Sequence, residues 1–217
     1  MPWHPQAMTN DCRQTARLLL TLPQLKKFYL AGGTALALQF GHRVSMDLDF
    51  FSPDYPLDPS HLEALKTGLR KIGRFAIRKE EEGTLHVVIL ETAVSFLRYP
   101  YPALKPLLSW EGLAVASYED IALMKIGAII GRGAKKDFID LYTISQKIPL
   151  TDLLKLSEQK FKHSADFYLQ AAKALVYFDD AESDPSPRLL KPARWPQIKK
   201  YFEQEVPKAV KVILKSS

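Results

Sequence analysis

The chain has 217 residues, 47% hydrophobic and 25% charged, with 30 Lys+Arg against 24 Asp+Glu. That balance excludes a disordered, collagenous or coiled-coil chain, and the length suits one large domain, or one domain with a small helical appendage. No apolar run reaches the roughly eighteen residues that span a bilayer, no secretory leader is expected in MPWHPQAMTNDCRQ, and the single Cys12 excludes an internal disulfide or a cysteine zinc cluster, as suits a reducing cytoplasm.

In chain order, Asn10 to Leu22 reads as a helix, with Asn10 as its cap and leucines on one face. Pro23 restarts a short helical turn. Phe28 to Ala31 is a brief apolar run, a buried strand stopped by Gly32-Gly33. Thr34 to Gln39 is rich in helix formers and opens on a hydroxyl able to cap. A strand is expected over Asp47 to Phe51, then a helix over Ser60 to Ile72 with Leu62, Leu65, Leu69 and Ile72 at helical spacing.

Strands follow at Phe75–Lys79, Leu85–Leu90 and Val94–Arg98, with Glu91-Thr92-Ala93 as a tight connection. The prolines at 100, 102 and 106 stiffen an irregular excursion. Ser117-Tyr-Glu-Asp120 is a capping box for a helix carrying Ile121, Met124, Ile126 and Ile129, and another helix is expected over Lys135–Ser145. Beyond Pro149 everything reads helical. Strands mixed with helices, then helices alone, indicate an α/β (α+β) core over residues 1–147 and an all-α extension over 148–217.

Chemistry concentrates at two short motifs. On a strand, residues i and i+2 share a face, so Asp47 and Asp49 point together with Cα atoms roughly 6.5–7 Å apart, a spacing that lets carboxylates converge on Mg²⁺. Magnesium takes one or two carboxylates plus substrate phosphates, and a metal pair can clamp an attacking oxygen and a leaving phosphate. Gly32-Gly33 between strand and helix permits close backbone approach, and the helix start attracts phosphate, with the Thr34 hydroxyl able to reach the same group. Alone, a D-x-D is as readily a pair of solvated carboxylates and a Gly-Gly pair a mere turn; their order and apolar flanks favour a site.

The run LAGGTALALQFGHRVSMDLDFFS, residues 30–52, resembles the DNA-polymerase-β-like nucleotidyltransferase superfamily and, more closely, the AbiEii/AbiGii-type nucleotidyltransferase toxins of type IV toxin–antitoxin and phage-abortive systems. Lys125, Arg132, Lys135-Lys136-Asp137 and Asp140 are similar to that family's downstream basic-acidic helix motif. The resemblance implies a mixed sheet flanked by helices, with Gly32, Gly33 and Thr34 holding a nucleoside triphosphate and Asp47 and Asp49 holding Mg²⁺ or Mn²⁺. Lys125 becomes a phosphate-facing cation and Asp137 a supporting or substrate-binding acid. Ser45 is implied beside the nucleotide and, in some members, is a target of the antitoxin. One position departs: the wider superfamily places a third carboxylate on a neighbouring strand, and the matching slot Val94-Ser95-Phe96 carries Ser95, with Glu91 on the expected turn.

Other residues are more ambiguous. Arg43 has the fork to grip a phosphate or an acid. Lys136 and Asp140 read equally as an exposed i, i+4 pair. Histidines 4, 42, 61, 86 and 163 show no metal spacing, and Tyr99, Tyr101, Trp110 and Trp195 are base-stacking candidates that more often belong to a core. The charge is sharper: residues 185–217 carry eight basic and two acidic groups, the whole net +6, leaving the first 184 residues neutral. The expected function is metal-dependent transfer of an NMP from an NTP to an RNA (transfer RNA among them) or protein hydroxyl, with an antitoxin partner and no membrane. The competing reading is a non-catalytic nucleotide- or RNA-binding regulator, which Ser95 favours and the Asp47/Asp49 pair opposes.

Overall fold

The structure is a computed structural model describing residues 2–162, 164 and 166–215; His163 lies outside them. The chain forms two compact units, residues 1–117 and 118–217. The sequence-based boundary at 147 falls inside the second unit, between two of its helices.

In the first unit the strands are β1 (Tyr29–Ala31), β2 (Leu48–Ser52), β3 (Ala76–Glu81), β4 (Thr84–Ile89), β5 (Thr92–Arg98), β6 (Leu108–Trp110) and β7 (Leu113–Val115). Among the described residues these seven form one mixed sheet, in the order β3-β4-β5-β2-β1-β7-β6. Pairings β2/β5 and β1/β7 are parallel and the others antiparallel. Period-two alternation decides the faces. Leu48, Phe50, Val94, Phe96, Leu85 and Val87 are at most 1% exposed, whereas Asp49, Phe51, Thr84 and His86 on the other face are half-buried. Phe50 and Phe96 stack at 5.6 Å and Phe28 meets Phe96 edge-on at 5.3 Å; each buried ring contributes about 2–3 kcal/mol.

Helix α1 (Asn10–Leu19) buries Cys12, Thr15, Ala16 and Leu19. Its cap is Thr9, whose hydroxyl accepts from the Cys12 N–H, and not the expected Asn10, which is the first helical residue. Helix α2 (Gly32–Phe40) follows β1 directly. Helix α3 (Pro59–Ile72) is capped by Asp58, which accepts from the His61 N–H, and buries Leu62, Leu65 and Leu69.

The β6–β7 hairpin was absent from the sequence reading. Its strands are three residues each, too short for alternation to register, and they turn at Glu111-Gly112 with both φ values positive. Trp110 is in its core, 5% exposed and packed on Trp3, so it is no exposed stacking surface. Tyr99 and Tyr101 stay half-buried, 5.0 Å apart.

The second unit is helical: α4 (Tyr118–Arg132), α5 (Lys135–Ser145), α6 (Leu150–Lys160), α7 (Phe167–Ala174), α8 (Asp179–Glu182) and α9 (Trp195–Leu214). Phe138, fully buried, contacts Phe178, Trp195 and Phe202 at 5.2–5.8 Å, so half-buried Trp195 packs against an aromatic core. Asp120, read as a capping-box acid, is 2% exposed and receives the buried Lys160 ammonium at 2.8 Å. Helix α9 buries Ile198, Phe202, Val206, Ala209 and Ile213 and turns Lys200, Lys208 and Lys211 outward, with exposed Lys215 at its C-cap.

Candidate functional site

The chain passes from β1 to α2 through Gly32, whose φ of +65° an L side chain rarely adopts. A methyl group there would lie 2.8 Å from Asp49 Oδ2, and one at Gly33 would overlap the Arg43 guanidinium and approach Ser45 Oγ to 3.2 Å. The glycines are needed because an acid, a cation and a hydroxyl all pack against their backbone. Strand register brings this about: Ala31 pairs with Asp49 across β1 and β2, which sets the Asp49 carboxylate over the start of α2. The N-cap residue of α2 is Ala31, which supplies no side-chain cap.

Thr34 was expected to supply that cap. It is 1% exposed and its hydroxyl donates to the Asp47 carbonyl, tying α2 to the entry of β2 and fixing the backbone of Asp47. Arg43 and Ser45 are 4% and 6% exposed; Arg43 Nη1 donates to the Val44 carbonyl at 3.2 Å, and the Ser45 N–H to the Ala7 carbonyl at 2.9 Å. Gly32, Gly33, Arg43, Ser45 and Asp49 are thus gathered in one place from residues seventeen apart in sequence.

Asp47 and Asp49 are half-buried, and both charges act on Cys12 of α1. Burial first, then Asp47 and Asp49, push the Cys12 thiol up to about 12. A thiol so protonated and 0% exposed is a poor nucleophile. Cys12 is therefore expected to resist dithionitrobenzoate at pH 8 in the folded protein and to react promptly in denaturant; fast labelling of the native chain would contradict this geometry.

Ser95 is the register partner of Asp49 in the β2/β5 pairing, and His86 is the partner of Ser95 in the β4/β5 hairpin. His86 Nδ1 lies 2.9 Å from Ser95 Oγ. Ser95 is legible beside the aspartates from its slot on the neighbouring strand, whereas His86 is not, because the histidines show no metal spacing. The usable signal was the hairpin: a two-residue turn at Leu90-Glu91, both with left-handed φ, sets position 86 opposite 95.

The second unit holds its own polar cluster. Lys125 Nζ lies 2.7 Å from Asp137 Oδ1 and 2.6 Å from Asp140 Oδ2, and Arg132 reaches Asp137 Oδ2 at 2.9 Å. Asp137 and Asp140 are completely buried and the Lys125 side chain is 5% exposed, whereas Arg132 is 58% exposed. Burial works to raise the Asp137 pKa, but the Lys125 and Arg132 charges overcome it and hold it below the ordinary 3.8. Asp140 is therefore no solvated surface partner of Lys136; α4 and α5 use it to clamp Lys125.

Among the described residues no group of three or more His, Cys, Asp or Glu is arranged to hold a metal ion. Asp49 against the glycine turn, with half-buried Asp47 two residues before it, still offers the kind of hard-oxygen ligand that Mg²⁺ accepts when substrate phosphates complete its shell.

The profile described as nucleotidyl transferase AbiEii toxin, type IV TA system, matches residues 16–106 and 101–216. The chain belongs to the AbiEii nucleotidyltransferase toxin family. It is 34% identical over 203 residues, 92% of this chain and 96% of the other, to an uncharacterised protein of Aquifex aeolicus strain VF5. As an AbiEii-family protein it is an enzyme of the nucleotidyltransferase class. Its fold is shared with MenT4, a nucleotidyltransferase toxin of Mycobacterium tuberculosis H37Rv (TM-score 0.56, 14% identity, covering 93% of this chain and 86% of that one). It is also shared with ANT(2″)-Ia in complex with adenylyl-2″-tobramycin (TM-score 0.54, 11% identity, 71% and 99% covered). No helix among the described residues is long and apolar enough to cross a membrane.

Proposed function

We propose that this protein transfers an NMP from an NTP to a hydroxyl of RNA, with transfer RNA in the acceptor class, or of a protein, as the toxin of a type IV pair in the cytoplasm. The observation that carries this reading is Asp49 Oδ2 set against the Gly32-Gly33 start of α2, two residues beyond Asp47. Asp47 and Asp49 hold Mg²⁺ or Mn²⁺. When bound, the cation supplies charge neutralisation for the phosphates. The glycines admit the triphosphate to the start of α2, where uncapped amides and the helix dipole favour an anion. The guanidinium of Arg43 lies against Gly33 and completes the cationic side of this cradle. Ser45 Oγ borders the same place, so a phosphate added there by an antitoxin would bring about −2 charge to it and oppose nucleotide entry.

Lys125 and Asp137 stay in this proposal as a catalytic charged pair, with Asp137 and Asp140 keeping the ammonium oriented. Support for a hydroxyl acceptor comes from ANT(2″)-Ia, whose structure holds adenylyl-2″-tobramycin. A second reading, a nucleotide- or RNA-binding regulator without transfer, is favoured by Ser95 standing opposite Asp49 where an acid would supply a base. The deciding experiment incubates the protein with each labelled NTP, total RNA and Mg²⁺ or Mn²⁺. Label on RNA or protein supports transfer; nucleotide binding without label from any NTP leaves the regulator.

RNA contact is assigned to the outer face of α9. Lys199 is tied to Glu182 at 2.5 Å, so the exposed Lys200, Lys211 and Lys215 make the better test. Replacing these three by alanine is expected to weaken RNA binding about tenfold or more at low salt and to lower the salt slope by roughly two to three. An unchanged slope in a filter-binding titration would remove α9 from the interface.

A further inference from the structure

Transfer to a hydroxyl requires the attacking O–H to lose its proton, and in the proposed function the charges of Asp47 and Asp49 are committed to cations. The row of side chains that starts at Asp49 continues on the same face of the sheet, through Ser95 on β5 to His86 on β4. Residues paired in register share a face and neighbouring strands lie about 4.8 Å apart, so Ser95 is one strand from the Asp49 carboxylate and His86 two. The serine is 8% exposed and the imidazole half-buried, with Nδ1 at 2.9 Å from Ser95 Oγ. On the far side of His86 its register partner is Lys79 of β3, whose ammonium is paired with Glu81 at 2.7 Å. The imidazole therefore has a hydroxyl toward the aspartates and a charge-compensated lysine away from them.

We infer that Ser95 and His86 form a proton-accepting pair for the acceptor hydroxyl, with Ser95 meeting the substrate and His86 acting through it as a positioning residue; this rests on the nucleotidyl-transfer reading. Ser95 donates to Nδ1, which places the ring proton on Nε2 and leaves an Oγ lone pair to accept from the acceptor. As the acceptor oxygen forms its bond to the α-phosphorus, its proton passes to Ser95 Oγ and the proton of Ser95 passes to His86 Nδ1. The bond from the α-phosphorus to the bridging oxygen breaks, and pyrophosphate leaves with that electron pair. Imidazole suits the task because histidine exchanges protons near neutral pH, which serine alone does not. Ser95 thus takes over the place of an acid by borrowing a base from the next strand.

The test compares steady-state transfer by wild type, His86→Ala, His86→Asn, Ser95→Ala and the His86→Ala/Ser95→Ala pair, with Asp49→Asn as the blank. Loss of the pair is expected to lower kcat about 10²–10³-fold with KM for the NTP within about twofold, and the double variant should be no slower than the slower single, as for groups acting as a unit. His86→Asn retains a hydrogen-bonding group but takes no proton, so it should stay slow, while added imidazole should restore about tenfold of the His86→Ala rate. Independently of activity, the ¹⁵N resonance of His86 Nδ1 should shift on Ser95→Ala. If His86→Ala does not fold, His86→Asn and Ser95→Ala decide the matter. Full kcat in either, or an unmoved Nδ1 resonance, overturns the inference while Asp49-dependent transfer by wild type upholds the function. Absence of transfer by wild type overturns both.

Discussion

Replacing Asp49 by Asn is expected to lower nucleotidyl transfer by about 10³-fold or more while leaving the fold intact. The amide keeps the size of the carboxylate, so the close packing on Gly32 survives, and the half-buried side chain needs no new partner. What disappears is the negative charge on which cation binding rests, and removing one well-placed electrostatic group from such a site commonly costs about 3–4 kcal/mol or more of transition-state stabilisation. The thermal midpoint should hold or rise, because Asp47 and Asp49 repel one another. One of the charges that raise the Cys12 pKa also goes, so the thiol should titrate lower in the variant. Transfer at the wild-type rate would remove Asp49 from the chemistry; transfer lost together with the cooperative unfolding transition would assign it to stability instead.

Lys125→Met is expected to produce the largest loss of stability, about 3–5 kcal/mol by urea unfolding at pH 7. The ammonium lies between two carboxylates that are both 0% exposed; without it Asp140 loses the partner at 2.6 Å, and Asp137 retains Arg132 on its exposed side. The pH dependence carries the sign. In the wild type Asp137 titrates below 3.8, so its stabilising contribution is present above that value and is lost as pH falls through the lower native one. In the variant burial dominates and raises the native pKa, so protonation relieves the penalty. The gap between wild type and variant should therefore shrink on going from pH 7 toward pH 4. A gap that is constant or widens with acid would show that Lys125 does not compensate a buried charge.

The motifs of the proposed site in the first unit are legible in the sequence, because their elements are local. A short apolar run ending in Gly-Gly announces a strand entering a helix, and Asp-Leu-Asp before two phenylalanines announces a buried strand, although β2 begins at Leu48 and of the two aspartates contains Asp49 alone. The order of strand and helix patterns gave an α/β core followed by helices alone, and the mixed sheet was implied by the family resemblance. Local signals failed where the partner is distant or the element is short. The cap of α1 was misplaced by one residue, Thr34 was given to the helix end when its hydroxyl belongs to the Asp47 carbonyl, and the three-residue strands of β6 and β7 left no period to detect.

By itself the sequence determined which chemistry-bearing groups exist, on which kinds of element they ride, and that the basic surplus belongs to the last 33 residues. Those properties depend on spacing along the chain, which periods of two and 3.6 convert directly into faces. The tertiary structure alone decided that Asp49 lies over Gly32, that Lys125 is clamped by Asp137 and Asp140, and that His86 stands behind Ser95. These depend on strand register and helix packing, where a slip of one residue turns every side chain to the opposite face. Only the packed core selects among such registers, because burying Phe50 and Phe96 together admits one of them.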